Sequence, residues 1–242
     1  MLYRSRRRMN RKTYLLLLLG VLLWNSSFSQ VKVENLPKYD RKLFHFGFTI
    51  GFNQMDFAIK RVQSPHYADT LLTLFTQPEG GFQIGIVSNM RIHDNFDIRF
   101  IPTLSFGDRV LNYSLKTQDT TILSQSKRIE STFIDFPVFI KFKSNRLTNF
   151  RAYVLAGGKY SLDLASQKDK EDYNEYIVKL KKHDFSGEVG VGFDFYLEYF
   201  KFAIELKMSY GLTDLLYREN NVYTNSIERL NSKMFWLSFT FE

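Results

Sequence analysis

Apolar residues recur at every second position in eight separate stretches of this chain, and that repetition restricts its fold more than any other feature. In residues 233–242, Phe235, Leu237, Phe239 and Phe241 share one parity, while Trp236, Ser238, Thr240 and Glu242 share the other. In residues 44–53, Phe44, Phe46, Phe48, Ile50 and Phe52 oppose His45, Gly47, Thr49, Gly51 and Asn53. A period of two belongs to a β-strand with two chemically different faces. Residues 80–92, 96–106, 131–142, 149–162, 184–197 and 200–211 repeat the pattern. Short turns are expected at 93–95, 143–148 and 198–199, and long connections at 60–79, 108–128, 163–183 and 213–232. An even number of strands joined alternately by long and short connections predicts an all-β, eight-stranded, antiparallel up-and-down barrel. Two places look irregular. Pro137 cannot donate to a ladder and reads as a bulge or local bend, and Gly157-Gly158 reads as a bend. Residues 163–183 are densely charged and suit a short helix or a solvated loop.

The first 29 residues stand apart. Arg4, Arg6, Arg7, Arg8, Arg11 and Lys12 form a basic head, followed by an apolar run over residues 15–24 and a small, polar exit over residues 25–29. A helix needs roughly 20 apolar residues to cross a bilayer. A run this short with these flanks reads as a cleavable secretory signal, residues 1–29, ahead of one domain over residues 30–242. The chain carries 33 Lys+Arg against 25 Asp+Glu, a net charge of +8. Without the six basic residues of the signal, 27 remain against 25, so the basicity is no sign of a nucleic-acid partner. There is no cysteine, which excludes disulfides, thiol catalysis and a lipidated N-terminal cysteine.

Alternation alone does not say which face meets lipid, because a soluble lipocalin-type barrel alternates too. Volume decides. The interior of an eight-stranded barrel is just wide enough for its own side chains or one small ligand, and the apolar parity is crowded with Phe, Ile and Leu. The opposite parity is rich in Gly, Ser, Thr, Asn and charged residues. Lipid outside and a polar lumen inside is the consistent assignment. It places the chain in a bacterial outer membrane, in contact with its lipid and with both termini periplasmic. The expected lumen-facing network is Asp97, Arg99, Asp135, Lys141, Arg151, Glu188, Asp194, Glu205 and Lys207, joined by Lys159 and Lys201. Both signs occur in comparable number, and buried charge requires partners. A structural network is therefore expected, with a small polar ligand site or a proton path as the functional alternative.

No catalytic, cofactor or metal site is expected. His45, His66, His93 and His183 fall at different ends of the barrel without metal-ligand spacing, and no Ser-His-acid set collects at one rim. Gly187, Gly190 and Gly192 lack the strand–loop–helix context of a phosphate loop. Trp236, Tyr199, Tyr210 and Tyr217 are candidates for interfacial aromatic girdles. Residues 108–128 and 163–183 are candidate protein-binding loops.

The opening strand F-H-F-G-F-T-I-G-F-N-Q-M-D-F at residues 44–57, I-D-F-P-V-F-I-K-F-K at 134–143 and Y-V-L-A-G-G at 153–158 together resemble the outer-membrane β-barrel family common in Bacteroidetes. Length, loop charge and the N-x-x-D-F ending of the first strand more specifically resemble the PorT/SprT family. That resemblance implies a non-enzymatic component of type IX protein secretion and gliding motility. Such a component would act in assembly or scaffolding beside other secretion-system subunits, and it carries no catalytic motif. The competing expectation is a stand-alone barrel that binds a small ligand or stabilises the envelope.

Overall fold

The computed structural model describes residues 33–62, 71–116, 122–165, 179–218, 224 and 226–242; the expected signal lies outside them. Asn35–Glu242 form one compact unit, and of the preceding unit, Met1–Glu34, only Val33 and Glu34 are described.

Among the described residues nine strands form one antiparallel sheet. They are β1 (Phe44–Arg61), β2 (Leu71–His93), β3 (Phe96–Phe100), β4 (Thr103–Lys116), β5 (Ile122–Lys143), β6 (Phe150–Asp163), β7 (His183–Tyr196), β8 (Lys201–Gly211) and β9 (Ile227–Phe241). β1 pairs with β2 on one side and β9 on the other, so the sheet closes into a ring. β3 and β4 both lie between β2 and β5 and share one place in that ring. Nine strands thus fill eight positions of an up-and-down barrel.

The split in the third position is a proline effect. Sequence alone puts the irregularity at Pro137, yet β5 passes through Pro137 in unbroken register with Lys159 of β6. The break falls on the neighbouring strand, at Ile101-Pro102. Neither proline has an N–H for the ladder. The Pro137 carbonyl instead accepts from the Ile101 amide at 3.3 Å, and the Pro102 carbonyl accepts from the Ile86 amide at 3.0 Å.

The expected bend at Gly157-Gly158 is absent, since β6 stays in register with β5 and β7 through both residues. Gly157 serves close approach instead. A Cβ there would lie 2.0 Å from the Val138 carbonyl oxygen and 2.9 Å from Phe139 Cα, whereas one on Gly158 would meet nothing within 4 Å. Gly157→Ala is expected to cost about 1–3 kcal/mol, the usual range for overpacking. Gly158→Ala should be near neutral. Urea unfolding in detergent micelles distinguishes them.

Burial assigns the two faces. Phe46, Phe52 and Ile86 are 67%, 65% and 64% exposed, while Arg99, Lys141 and Glu205 are fully buried. Large apolar groups face out and charges face in, which excludes the lipocalin-like arrangement. Trp236 follows the inward parity and is buried, so it belongs to no girdle. Tyr199, Tyr210 and Tyr217 are exposed.

Three of the expected long connections are shorter than the sequence suggested. β1 and β2 leave only residues 62–70 between them, β4 and β5 only 117–121, and β9 begins at Ile227. Most of 108–128, read as a binding loop, is therefore β4–β5 ladder. In the strand ends added beyond the expected limits the chemistry of the faces exchanges. On β1 the inward residues pass from His45, Thr49 and Asn53 to Met55 and Phe57, and outward Phe52 gives way to exposed Gln54 and Lys60. Inward Phe57, Leu74, Leu111, Tyr113, Ile227 and Leu230 form a buried apolar cluster with Leu180, Leu215 and Leu216 from the connections. The barrel is inside-out where lipid covers it and has an ordinary apolar core at its far end, the end away from Phe44 and Phe241.

Candidate functional site: the polar lumen

The inward parity of six strands, β3 to β8, delivers charged side chains to the barrel axis, where water is excluded and each needs a partner. Arg99 on β3 is the hub. Its guanidinium donates from Nη1 to Glu205 of β8 and from Nη2 to Glu242 Oε1 at 2.7 Å. Both Glu205 and Glu242 have second donors. The Tyr153 hydroxyl donates to Glu205 at 2.6 Å, and Lys201 Nζ donates to Glu242 Oε2 at 2.7 Å. Lys141 donates to both oxygens of Asp194, at 3.0 and 3.2 Å, with its ammonium 3.5 Å from the centre of the Tyr153 ring. Lys143 and Asn89 donate to Asp97 at 2.6 and 2.9 Å.

A second group lies farther along the axis. Asp135 accepts from Ser105 at 2.8 Å and Ser161 at 2.5 Å, with Lys159 Nζ at 3.6 Å. The Lys159 ammonium lies 4.1 Å from the Trp236 ring centre. Arg109 donates to Ser131 at 2.7 Å, sits 3.8 Å from Asp163, and its guanidinium lies within 4.3 and 5.0 Å of the Phe57 and Phe133 rings. Lys207 stands between Glu188 at 3.9 Å and Glu205 at 3.8 Å and balances both carboxylates without a direct hydrogen bond to either.

All eleven residues expected in the lumen are buried there. The structure adds Arg109, Lys143, Asp163 and Asp184 as buried inward charges, and the Glu242 side chain as a partner of Arg99. Arg109 was hidden because its segment reads as a loop, and Lys143 because it sits at a turn. Among the described residues no group of three or more His, Cys, Asp or Glu could hold a metal ion. His45 bonds the Tyr39 carbonyl at 2.8 Å and His183 bonds the Tyr160 hydroxyl at 2.7 Å; His66 lies outside the described residues.

The family model described as "Outer membrane protein beta-barrel domain" matches residues 28–217. The chain belongs to that family. Among solved structures, this outer-membrane barrel is similar to the outer membrane protein OprG from Pseudomonas aeruginosa, at 12% identity and a TM-score of 0.41, over 81% of this chain and 94% of that one. It is also similar to Ail, the attachment invasion locus protein of Yersinia pestis, solved with the heparin analogue sucrose octasulfate. There the identity is 11% and the TM-score 0.37, over 81% of this chain and 96% of the other. No curated protein matches.

The near mouth of the outer-membrane barrel is closed by its own lead-in. A short 3-10 turn, Tyr39–Arg41, brings Asp40 beneath the lumen. Asp40 accepts from Arg151 at 3.0 and 3.3 Å, from the Tyr196 hydroxyl at 3.0 Å and from Arg146 at 3.4 Å. Tyr39 stacks on His45 with centroids 4.2 Å apart and donates to Glu242 at 3.0 Å. Burial works against the charged form of Asp40, but Arg151, Tyr196 and Arg146 outweigh it, and the carboxyl sits below its ordinary value. A lowered carboxyl contributes stability above the ordinary carboxylate value of about 4 and loses it as pH falls through the lowered one. A nitroxide on Lys38→Cys, clean in a chain without cysteine, should stay immobilised from pH 7 to below about pH 4 and loosen only under that. With Asp40→Asn added, the label should be mobile throughout.

Proposed function

We propose that this outer-membrane barrel is a non-enzymatic component of a type IX secretion and gliding machinery and acts in its assembly or scaffolding. The observation that carries the reading is the filled lumen. Charged side chains pair across its length, the lead-in turn closes one end, and an apolar cluster closes the other. Such a barrel does not conduct cargo, so it works through surfaces and partners. The resemblance to PorT/SprT in length, loop charge and the N-x-x-D-F ending of the first strand supplies the identity of those partners, the other subunits of the secretion system. Both termini face the periplasm in this reading, because Phe44 and Phe241 lie at the end of the three short turns, and the longer connections and apolar-cored extension stand outside.

The test is a clean deletion, paired with gentle detergent extraction of the tagged protein at native expression. The reading expects exported cargo to accumulate in the periplasm and other secretion subunits to co-purify. Normal secretion, with the barrel recovered alone, overturns it and leaves the stand-alone barrel.

A further inference from the structure

The far end of the barrel is not a complete ring. β1 and β2 pair from Phe44↔Met90 to Met55↔Glu79 and then part. Beyond that point β1 follows β9, while β2 follows β4 from Pro78↔Arg109 to Leu71↔Leu115. β4 in turn pairs with β5 without interruption to Lys116↔Ile122. The β5–β6 ladder stops at Phe133↔Asp163, with a last bond from the Leu164 amide to the Thr132 carbonyl at 2.8 Å. The outer parts of β2, β4 and β5 are thus a three-stranded flap with two lateral edges.

Those edges differ. The β2 edge is covered by β1 side chains. Arg61 donates to the Leu74 carbonyl, and the β2 residue Thr76 donates back to the Phe57 carbonyl at 3.4 Å. The β5 edge has no such cover among the described residues. In an antiparallel ladder successive residues point their backbone groups to opposite sides. Thr132 faces β6, and no register shift occurs along β4–β5. The amides and carbonyls of Glu130, Arg128, Ser126 and Ser124 therefore face away from β4, and none bonds to another described backbone group. The four side chains are exposed.

We infer that the outer edge of β5, residues 124–130, is a docking edge that takes an extended segment of a partner protein as a further strand. Four residues in one row offer the backbone pairing that strand addition uses. Arg128, its side chain 61% exposed and 3.5 Å from Asp108, favours a carboxylate opposite it, and half-buried Ile129 favours an apolar neighbour on the inner face. A second copy does not fit. Copies inserted the same way in one membrane are related by an axis along the membrane normal. With barrel strands tilted by about 35–45°, that axis makes the two edges cross rather than align. The inference rests on the far-end geometry and is independent of the secretion reading.

The test uses the full-length protein in detergent micelles and a fluorescent nonapeptide of alternating threonine and valine with one central glutamate. Saturable binding is expected. It should slow amide hydrogen exchange at Ser124, Ser126 and Arg128 at least tenfold, with no change at Lys127, whose amide faces β4. Arg128→Pro removes an outward amide without removing a β4–β5 bond and should weaken binding at least tenfold. The same peptide N-methylated at alternate residues should not bind. No binding, equal binding of the methylated peptide, or exchange at 124–130 unchanged at saturation would each overturn the inference; the exchange readout on the unaltered protein needs no variant to fold.

Discussion

Arg99→Ala lowers the stability of the folded barrel by about 3–5 kcal/mol, the range for removing one partner of a buried ion pair. The guanidinium and both of its carboxylate partners are shielded from solvent. Removing it strands two negative charges. Glu205 keeps only the Tyr153 hydroxyl and a Lys207 ammonium 3.8 Å away, and Glu242 keeps Lys201 and the Tyr39 hydroxyl. Replacing Arg99 and Glu205 together with Met and Leu should cost less than the single change, because an apolar pair leaves one fewer unpaired charge behind. Urea unfolding from lipid vesicles, followed through the fluorescence of buried Trp236, gives both numbers. A loss below 1 kcal/mol for Arg99→Ala would mean that water reaches the hub and the lumen is not filled.

Ile86→Arg is the second large effect, and it acts on the other face. Ile86 points outward from the middle of β2 and is 64% exposed. Exposure of this kind is harmless only if lipid covers it. A cation at the midplane of a membrane barrel costs about 2–4 kcal/mol, falling towards zero at the interfaces. The matching change at Thr73, exposed on the same strand in the flap, should stay within about 0.5 kcal/mol. The same unfolding assay measures both, and equal costs would mean that the apolar band does not end where β1 and β2 part.

These two faces were legible in the sequence for a simple reason. A side chain on a strand has only two directions, so a run such as Phe44–Phe52 leaves its inward partners fixed as well. That is why Arg99, Lys141, Asp194 and Glu205 could be placed in the lumen, though not paired. Pairing depends on the stagger between strands, which alternation does not encode. What failed to show had equally physical causes. Phe57 and Leu74 are apolar on the inward side, so beyond Asn53 the rule of apolar out and polar in reverses, and the strand reads as loop. The reversal does leave a trace, as the apolar parity of β1 shifts from Phe52 to Met55 and Phe57. Pro137 misled because a missing amide harms the strand it faces rather than the one it belongs to. Trp236 suited a membrane girdle by residue type while its parity already put it inside. Asp40 could not be foreseen, because the short turn that carries it is held by Arg146, Arg151 and Tyr196 from distant parts of the chain.

The central claim is that this chain is a membrane barrel turned inside-out, apolar to lipid and ionic within. A nitroxide scan of residues 82–92 of β2 in lipid vesicles tests it most directly. Labels at Phe82, Ile84, Ile86, Met90 and Ile92 should collide freely with dissolved oxygen and be shielded from a polar relaxant. Labels at Gln83, Val87 and Asn89 should be immobilised and shielded from both. An alternation of the opposite phase, or none, would contradict the account.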